Sequence, residues 1–119
     1  MKKRLFKGAI KDFTRATDIN PGNANAFLKR AISNYVTGHE IGSMLDFELA
    51  KKRDPQNTEI LNLCGYYKML YQDHKGAIAD LTKVIELDPQ FSQAYLNRGI
   101  SKLSLEEYEG AMEDYLEAI

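Results

Sequence analysis

The chain has 119 residues, 44% of them apolar and 28% charged, which is one domain's worth of ordinary globular sequence. Sixteen basic side chains stand against seventeen acidic ones, a formal net charge of −1. The cationic excess that displaces counterions from nucleic acid is therefore missing, and with it the attraction for an anionic membrane surface.

The chain opens on Met1-Lys2-Lys3-Arg4, but Lys7, Lys11, Asp12 and Arg15 break up the apolar run that a signal peptide needs. No segment nears the roughly 20 apolar residues of a membrane span, and Cys64 stands alone, without a disulfide mate or a cysteine metal cluster. A cytoplasmic, reducing setting is the expectation. Apolar residues recur at helical spacing from the start, and Leu5, Phe6, Ala9, Ile10, Phe13 and Ala16 predict a helix over about 5–19. Further helices are predicted over 24–37 and 41–53. The next, over 58–71, has apolar residues at 60, 61, 64 and 67. The polar stretch Gln72-Asp73-His74-Lys75-Gly76 reads as a turn, followed by a helix over 75–87 with apolar positions 77, 78, 81, 84 and 85. Asp88-Pro89 ends that helix, because the residue before proline is pushed out of the α region. Helices over 92–105 and 107–119 complete a set of about seven, the last with Tyr108, Met112, Tyr115 and Ile119 on one face. Strand-like alternation of β-branched residues is absent at any length. The fold class is all-α.

The elements repeat. Pro21, Pro55 and Pro89 are 34 residues apart, and the same step carries Gly8 to Gly42, Gly76 and Gly110, and Asp12 to Asp46, Asp80 and Asp114. Each period is helix, turn, helix, turn. The chain is thus a single array in which 1–23 is the second helix of a partial repeat, 24–57 and 58–91 are full repeats, and 92–119 is nearly complete.

A 34-residue helical hairpin with small residues at fixed offsets resembles the tetratricopeptide repeat. With Ala24, Thr58 and Ser92 at position 1, the large residue of position 4 is Phe27, Leu61 and Tyr95, and the small residue of position 8 is Ala31, Gly65 and Gly99. Position 20 is Ser43, Ala77 and Ala111, and position 24 is Phe47, Leu81 and Tyr115. Arg30, Cys64 and Arg98 stand where the family has leucine, and Asn34, Lys68 and Lys102 where it has tyrosine. The resemblance implies a right-handed superhelical solenoid of antiparallel helix pairs, whose first helices line a concave groove for a peptide or partner protein.

In that groove the first repeat would place Asn25, Leu28, Lys29 and Ile32, the second Asn62, Leu63 and Tyr66, and the third Gln93, Leu96, Asn97 and Ile100. The family's carboxylate clamp is not carried over, because its cationic positions hold Leu28, Gln93 and Asn97. An apolar strip edged by amides remains, suited to an amphipathic helix or an extended apolar segment. Arg30 and Arg98 are expected to form structural ion pairs with the recurring Asp12, Asp46, Asp80 and Asp114, because a charge at a helix interface needs a partner. His39 and His74 sit in turns without further ligands at metal spacing, so no metal and no cofactor are expected. Nor does any Ser–His–Asp set or Gly-rich phosphate loop suggest an enzyme. The expected function is a protein–protein interaction module. The alternative is a structural segment that self-associates through its terminal helices, a homo-oligomer.

Overall fold

The computed structural model describes the backbone of residues 2–119 and the side chains of residues 8–119. Among them all regular structure is helical: α1 (Lys2–Ile19), α2 (Ala24–Val36), α3 (Glu40–Arg53), α4 (Thr58–Leu70), α5 (His74–Leu87), α6 (Ser92–Ser104) and α7 (Tyr108–Ala118). The chain divides into two compact units, Met1–Pro55 and Gln56–Ile119.

In the first unit α1 packs on α2 and α2 on α3. Ala26, Phe27, Leu28, Ala31, Phe47 and Ala50 are its buried apolar residues, and Arg30 and Arg53 lie over the Phe27 ring at 5.4 and 5.9 Å. In the second unit α4 packs on α5, α5 on α6, α6 on α7, and α4 also touches α6. Leu61, Ala77, Leu81, Val84 and Ala94 form its core, edged by Met69, Ile85, Leu87 and Phe91. The small residue at position 8 is what lets each hairpin close. A Cβ on Gly65 would stand 2.7 Å from Leu81 Cγ, and one on Gly99 would stand 2.9 Å from the Tyr115 ring.

The helix ends follow ordinary capping chemistry. Asn23, Asn57 and Asp73 accept from the backbone N–H of Ala26, Ile60 and Gly76, satisfying donors that the first turn leaves free. The turns between paired helices repeat one geometry. His39, Asp73 and Glu107 donate their N–H to the carbonyls of Asn34, Lys68 and Lys102, each at 2.8 Å. Gly38, Gln72 and Glu106 donate to Tyr35, Met69 and Leu103, which makes each turn a Schellman motif. The residue between is left-handed in all three, with φ +83° at Gly38, +70° at Gln72 and +63° at Glu106. Gly76, read above as part of a turn, lies instead within the first turn of α5, as Gly42 and Gly110 lie within those of α3 and α7, and none has positive φ.

The terminal helices differ in how much they expose. In α1, Ala9, Ile10, Phe13 and Ala16 are half-buried, while the side chains of Leu5 and Phe6 lie outside the described residues. In α7, Tyr108 and Met112 are each 61% exposed, Ile119 is 99% exposed and Tyr115 is half-buried. No described helix is long and apolar enough to cross a membrane.

Candidate functional site

The outer faces of the first helices carry the residues singled out above. In the first unit, α2 presents Asn25 and Lys29 exposed and Ile32 half-buried, while Leu28 is buried at 8%. In the second unit, α4 presents Asn62, Leu63 and Tyr66 half-buried, with the Tyr66 ring edge-on to Tyr67 at 5.3 Å. On α6, Gln93 and Leu96 are exposed, Ile100 is half-buried, and Asn97 is 2% exposed. Leu28 and Asn97 therefore offer little surface, and the accessible apolar groups among these residues are Ile32 in one unit and Leu63, Tyr66, Leu96 and Ile100 in the other.

Helices α4 and α6 touch. Gln93 Nε2 donates to Asn97 Oδ1 at 3.3 Å. Asn97 Nδ2 and Asn62 Oδ1 are buried and have no hydrogen-bond partner among the described residues. A buried polar group left unmatched is unfavourable by roughly 1–3 kcal/mol, and both atoms are closed off from solvent.

The charged network lies elsewhere, between the helices of each hairpin. Arg30 on α2 meets Asp46 on α3 through two bonds, Nε to Oδ2 and Nη2 to Oδ1, both 2.8 Å. Its Nη1 reaches the hydroxyls of Thr14 and Thr17 on α1 at 3.2 Å, and Asn34 Nδ2 donates to Asp46 Oδ2 at 3.0 Å. The second unit repeats the arrangement: Arg98 grips Asp114 at 2.8 and 2.7 Å, its Nη1 reaches Thr82 at 3.2 Å, and Lys102 Nζ lies 3.1 Å from Asp114. Between them stands a repeat with no arginine. Position 7 is the buried Cys64, and Lys68 takes the aspartate, its Nζ 2.8 Å from Asp80 Oδ2. Arg98 thus selects Asp114 and leaves Asp80 to Lys68, Arg30 selects Asp46, and Asp12 is exposed on α1.

Burial alone would push the Asp114 carboxyl up. The hydrogen bonds and charges of Arg98 and Lys102 more than offset this, and its pKa lies below the usual carboxylate value. For Arg98, the hydrogen bond from its guanidinium to Asp114 acts against the effect of burial and raises its pKa. Arg30 is raised in the same way by Asp46. These groups hold the hairpins together. Among the described residues no group of three or more His, Cys, Asp or Glu is placed to hold a metal. Thr14, Thr82 and the amine of Lys102 were missed in the sequence. Thr14 and Thr82 stand two periods apart, as Arg30 and Arg98 do, and that coincidence was the available signal.

The all-α hairpins, their glycine contacts and their 34-residue register define a helical-repeat scaffold. Residues 92–119 match the family model described as Tetratricopeptide repeat. Human Tetratricopeptide repeat protein 6 is 31% identical over 94 residues, 79% of this chain and 18% of that protein. The chain spans 11–23% of the length of the curated relatives it matches. Among solved structures, that of MamA superposes with a TM-score of 0.88 over 99% of this chain and 71% of that one, at 24% identity. The second TPR of Spaghetti (RPAP3), bound to the HSP90 peptide SRMEEVD, superposes with a TM-score of 0.73 over 80% of this chain and 88% of that one, at 20% identity. Residues 92–119 are thus a tetratricopeptide repeat, and the same 34-residue register runs back through residues 24–91.

Proposed function

We propose that the chain binds a segment of a partner protein on its first-helix faces, and that the α4–α6 surface of the second unit is where the segment is gripped. The observation that carries the reading is the apolar area left accessible on two touching helices, α4 and α6. Tyr66, Leu96 and Ile100 lie on the same helices and offer apolar area to the ligand's side chains. On α2 of the first unit, Asn25, Lys29 and Ile32 form a separate face of similar composition, with Leu28 beneath.

The ligand chemistry differs from that of the acidic peptide SRMEEVD bound by the Spaghetti domain. Asn62, Leu63 and Tyr66 on α4 and Gln93, Leu96, Asn97 and Ile100 on α6 include no cation. A neutral segment with apolar side chains, extended or amphipathic, fits better than an acidic terminus. The role is that of a binding scaffold without catalysis.

The test is fluorescence anisotropy with labelled neutral apolar, amphipathic and acidic peptides against the whole chain. The apolar or amphipathic peptides are expected to bind more tightly than the acidic one. Tyr66→Ala and Asn62→Ala are each expected to weaken binding at least about fivefold, the effect of roughly 1 kcal/mol at a contact residue. Preference for the acidic peptide, or binding indifferent to both substitutions, would refute the assignment.

A further inference from the structure

The second helix of each repeat turns one row of side chains outward, and steps of 34 residues identify the row in each. It is Lys75, Ala79 and Lys83 in α5, and Glu109, Glu113 and Glu117 in α7. In α1 its described members are Lys11 and Arg15. All of these are exposed. The row stays open even where a following helix is packed, since α6 lies on α5 and α2 on α1. In α3 the same row is Ile41, Leu45 and Leu49. Ile41 is 76% and Leu45 61% exposed, Leu49 is half-buried, and Met44 beside them is 43% exposed. At about 100° per residue the three row positions lie within about 80° of one another, a single apolar strip about 12 Å long. Branched aliphatics at positions that carry charge in the other repeats mark a contact surface.

The occupant is set by the size of the strip and by the charges around it. One helix wide and about two turns long, the strip falls short of the roughly 800 Å² per partner of a standard interface between globular surfaces, and it suits a short helix. Arg30 bonds Thr14 of α1 and Asp46 of α3 at once, so α1 runs beside α3 and its Lys11 and Arg15 flank the strip. Lys52, exposed, continues the strip toward its C-terminal end, in a direction between those of Ile41 and Leu45. None of these three cations is in an ion pair among the described residues. The acids nearby are matched or turned away. Glu48 pairs with Lys51 at 3.1 Å, the charge of Asp18 is exerted on Arg30, and Glu40 lies more than about 100° round the helix from Leu45. The face has an apolar centre and a cationic rim.

We infer that this face takes an amphipathic helix of a partner protein, with aliphatic side chains laid on Ile41, Leu45 and Leu49 and carboxylates beside Lys11, Arg15 and Lys52. An anionic membrane fits less well, because it presents its charge to the whole chain. Met1–Pro55 holds eleven Lys and Arg against six Asp and Glu, but Gln56–Ile119 holds five against eleven and is repelled. A partner helix touches the first unit alone. The contact does not depend on the reading of α4 and α6.

Fluorescence anisotropy on the whole chain tests this with two labelled model helices that share one leucine stripe, flanked by glutamate in one and by lysine in the other. The glutamate helix is expected to bind at least about tenfold more tightly at low salt. That advantage is expected to fade in about 0.5 M salt, where the screening length shrinks to a few ångströms. It is also expected to vanish in I41Q/L45Q, which removes the apolar anchors, and in K11Q/R15Q/K52Q, which removes the rim. It should survive Tyr66→Ala, which separates this face from the α4–α6 surface. Ile41, Leu45, Lys11, Arg15 and Lys52 are all exposed, and circular dichroism verifies that each variant keeps its helix content. Equal binding of the two helices, an advantage that persists in I41Q/L45Q, or one lost with Tyr66→Ala would each overturn the inference. So would flotation with phosphatidylserine vesicles that I41Q/L45Q abolishes, which would make the face a membrane contact. A concentration-dependent dimer abolished by the same variant would overturn it as well, by making the face a self-contact.

Discussion

Arg98 and Asp114, sixteen residues apart, meet edge to edge in a two-pronged pair with contacts of 2.8 and 2.7 Å. Two periods earlier Arg30 and Asp46 do the same at 2.8 Å. In each case the arginine joins the two helices of a hairpin and also reaches a threonine of the preceding helix, Thr82 or Thr14. The pair is a staple across three helices.

Removing one half of such a pair leaves the other half buried and unmatched. Asp114 is nearly inaccessible, its side chain 4% exposed, and it faces both Arg98 and Lys102. Asp114→Asn is expected to destabilise the fold by about 2–4 kcal/mol, because two cations then face a neutral amide. Urea denaturation of the variant checks this, and a loss below about 0.5 kcal/mol would show that solvent compensates the pair.

The same carboxylate sets an acid limit. Its pKa is depressed in the folded chain, so the unfolded chain takes up this proton more readily. Its contribution is fully present above the ordinary carboxylate value of about 3.9 and is lost as the pH falls below it through the folded value. Thermal melts between pH 7 and 5 are therefore expected to show no loss from this group, and melts below about pH 4 a progressive one. The Asp114→Asn variant should have a shallower acid slope than the wild type, and an equal slope would assign the acid sensitivity elsewhere.

The helices were legible because a 34-residue register acts as an internal alignment. Where proline and the small residues recur, the boundaries fall within a residue or two of those found for α2 to α7. Burial on the first helices was less legible. Leu28 and Ile32 occupy the same helical face, yet one is buried and the other half-buried, and helical spacing alone does not say how closely neighbours approach. The partner of each arginine also stayed open, since Asp80 and Asp114 both lie in register with Arg98. The deciding feature is Lys68, which already occupies Asp80.

Two glycines at one repeat position should respond differently to a methyl group. Replacing glycine by alanine inside a helix gains about 1 kcal/mol of propensity. At Gly65 the new Cβ would meet Leu81, which is fully buried, so the overpacking has no outlet. At Gly99 it would meet the Tyr115 ring, which is half-buried and can swing outward. Gly65→Ala is expected to destabilise by about 1–2 kcal/mol net, with Gly99→Ala close to neutral. Denaturant melts that rank the two in the opposite order would mean that the α4–α5 contact is the more yielding of the two.

The hairpin turns are the remaining place where sequence and backbone disagree. Their middle residue is left-handed at Gly38, Gln72 and Glu106 alike, and only the first has the residue suited to it. Two hydrogen bonds fix each turn, so Gln72 and Glu106 are held where their Cβ crowds the backbone, a strain of about 1–2 kcal/mol for a residue with a side chain. Glycine relieves that strain but adds freedom to the unfolded chain, which returns part of the gain. Both side chains are exposed, so no packing is lost. Gln72→Gly and Glu106→Gly are each expected to stabilise by about 0.5–1 kcal/mol, and the two should add, because the turns share no partner. Gly38→Ala provides the reverse case, losing about 1 kcal/mol although nothing lies within 4 Å of its would-be Cβ. Melting curves in which both glycine variants lower the midpoint would show that the turns carry no strain at these residues and that chain entropy governs the substitution.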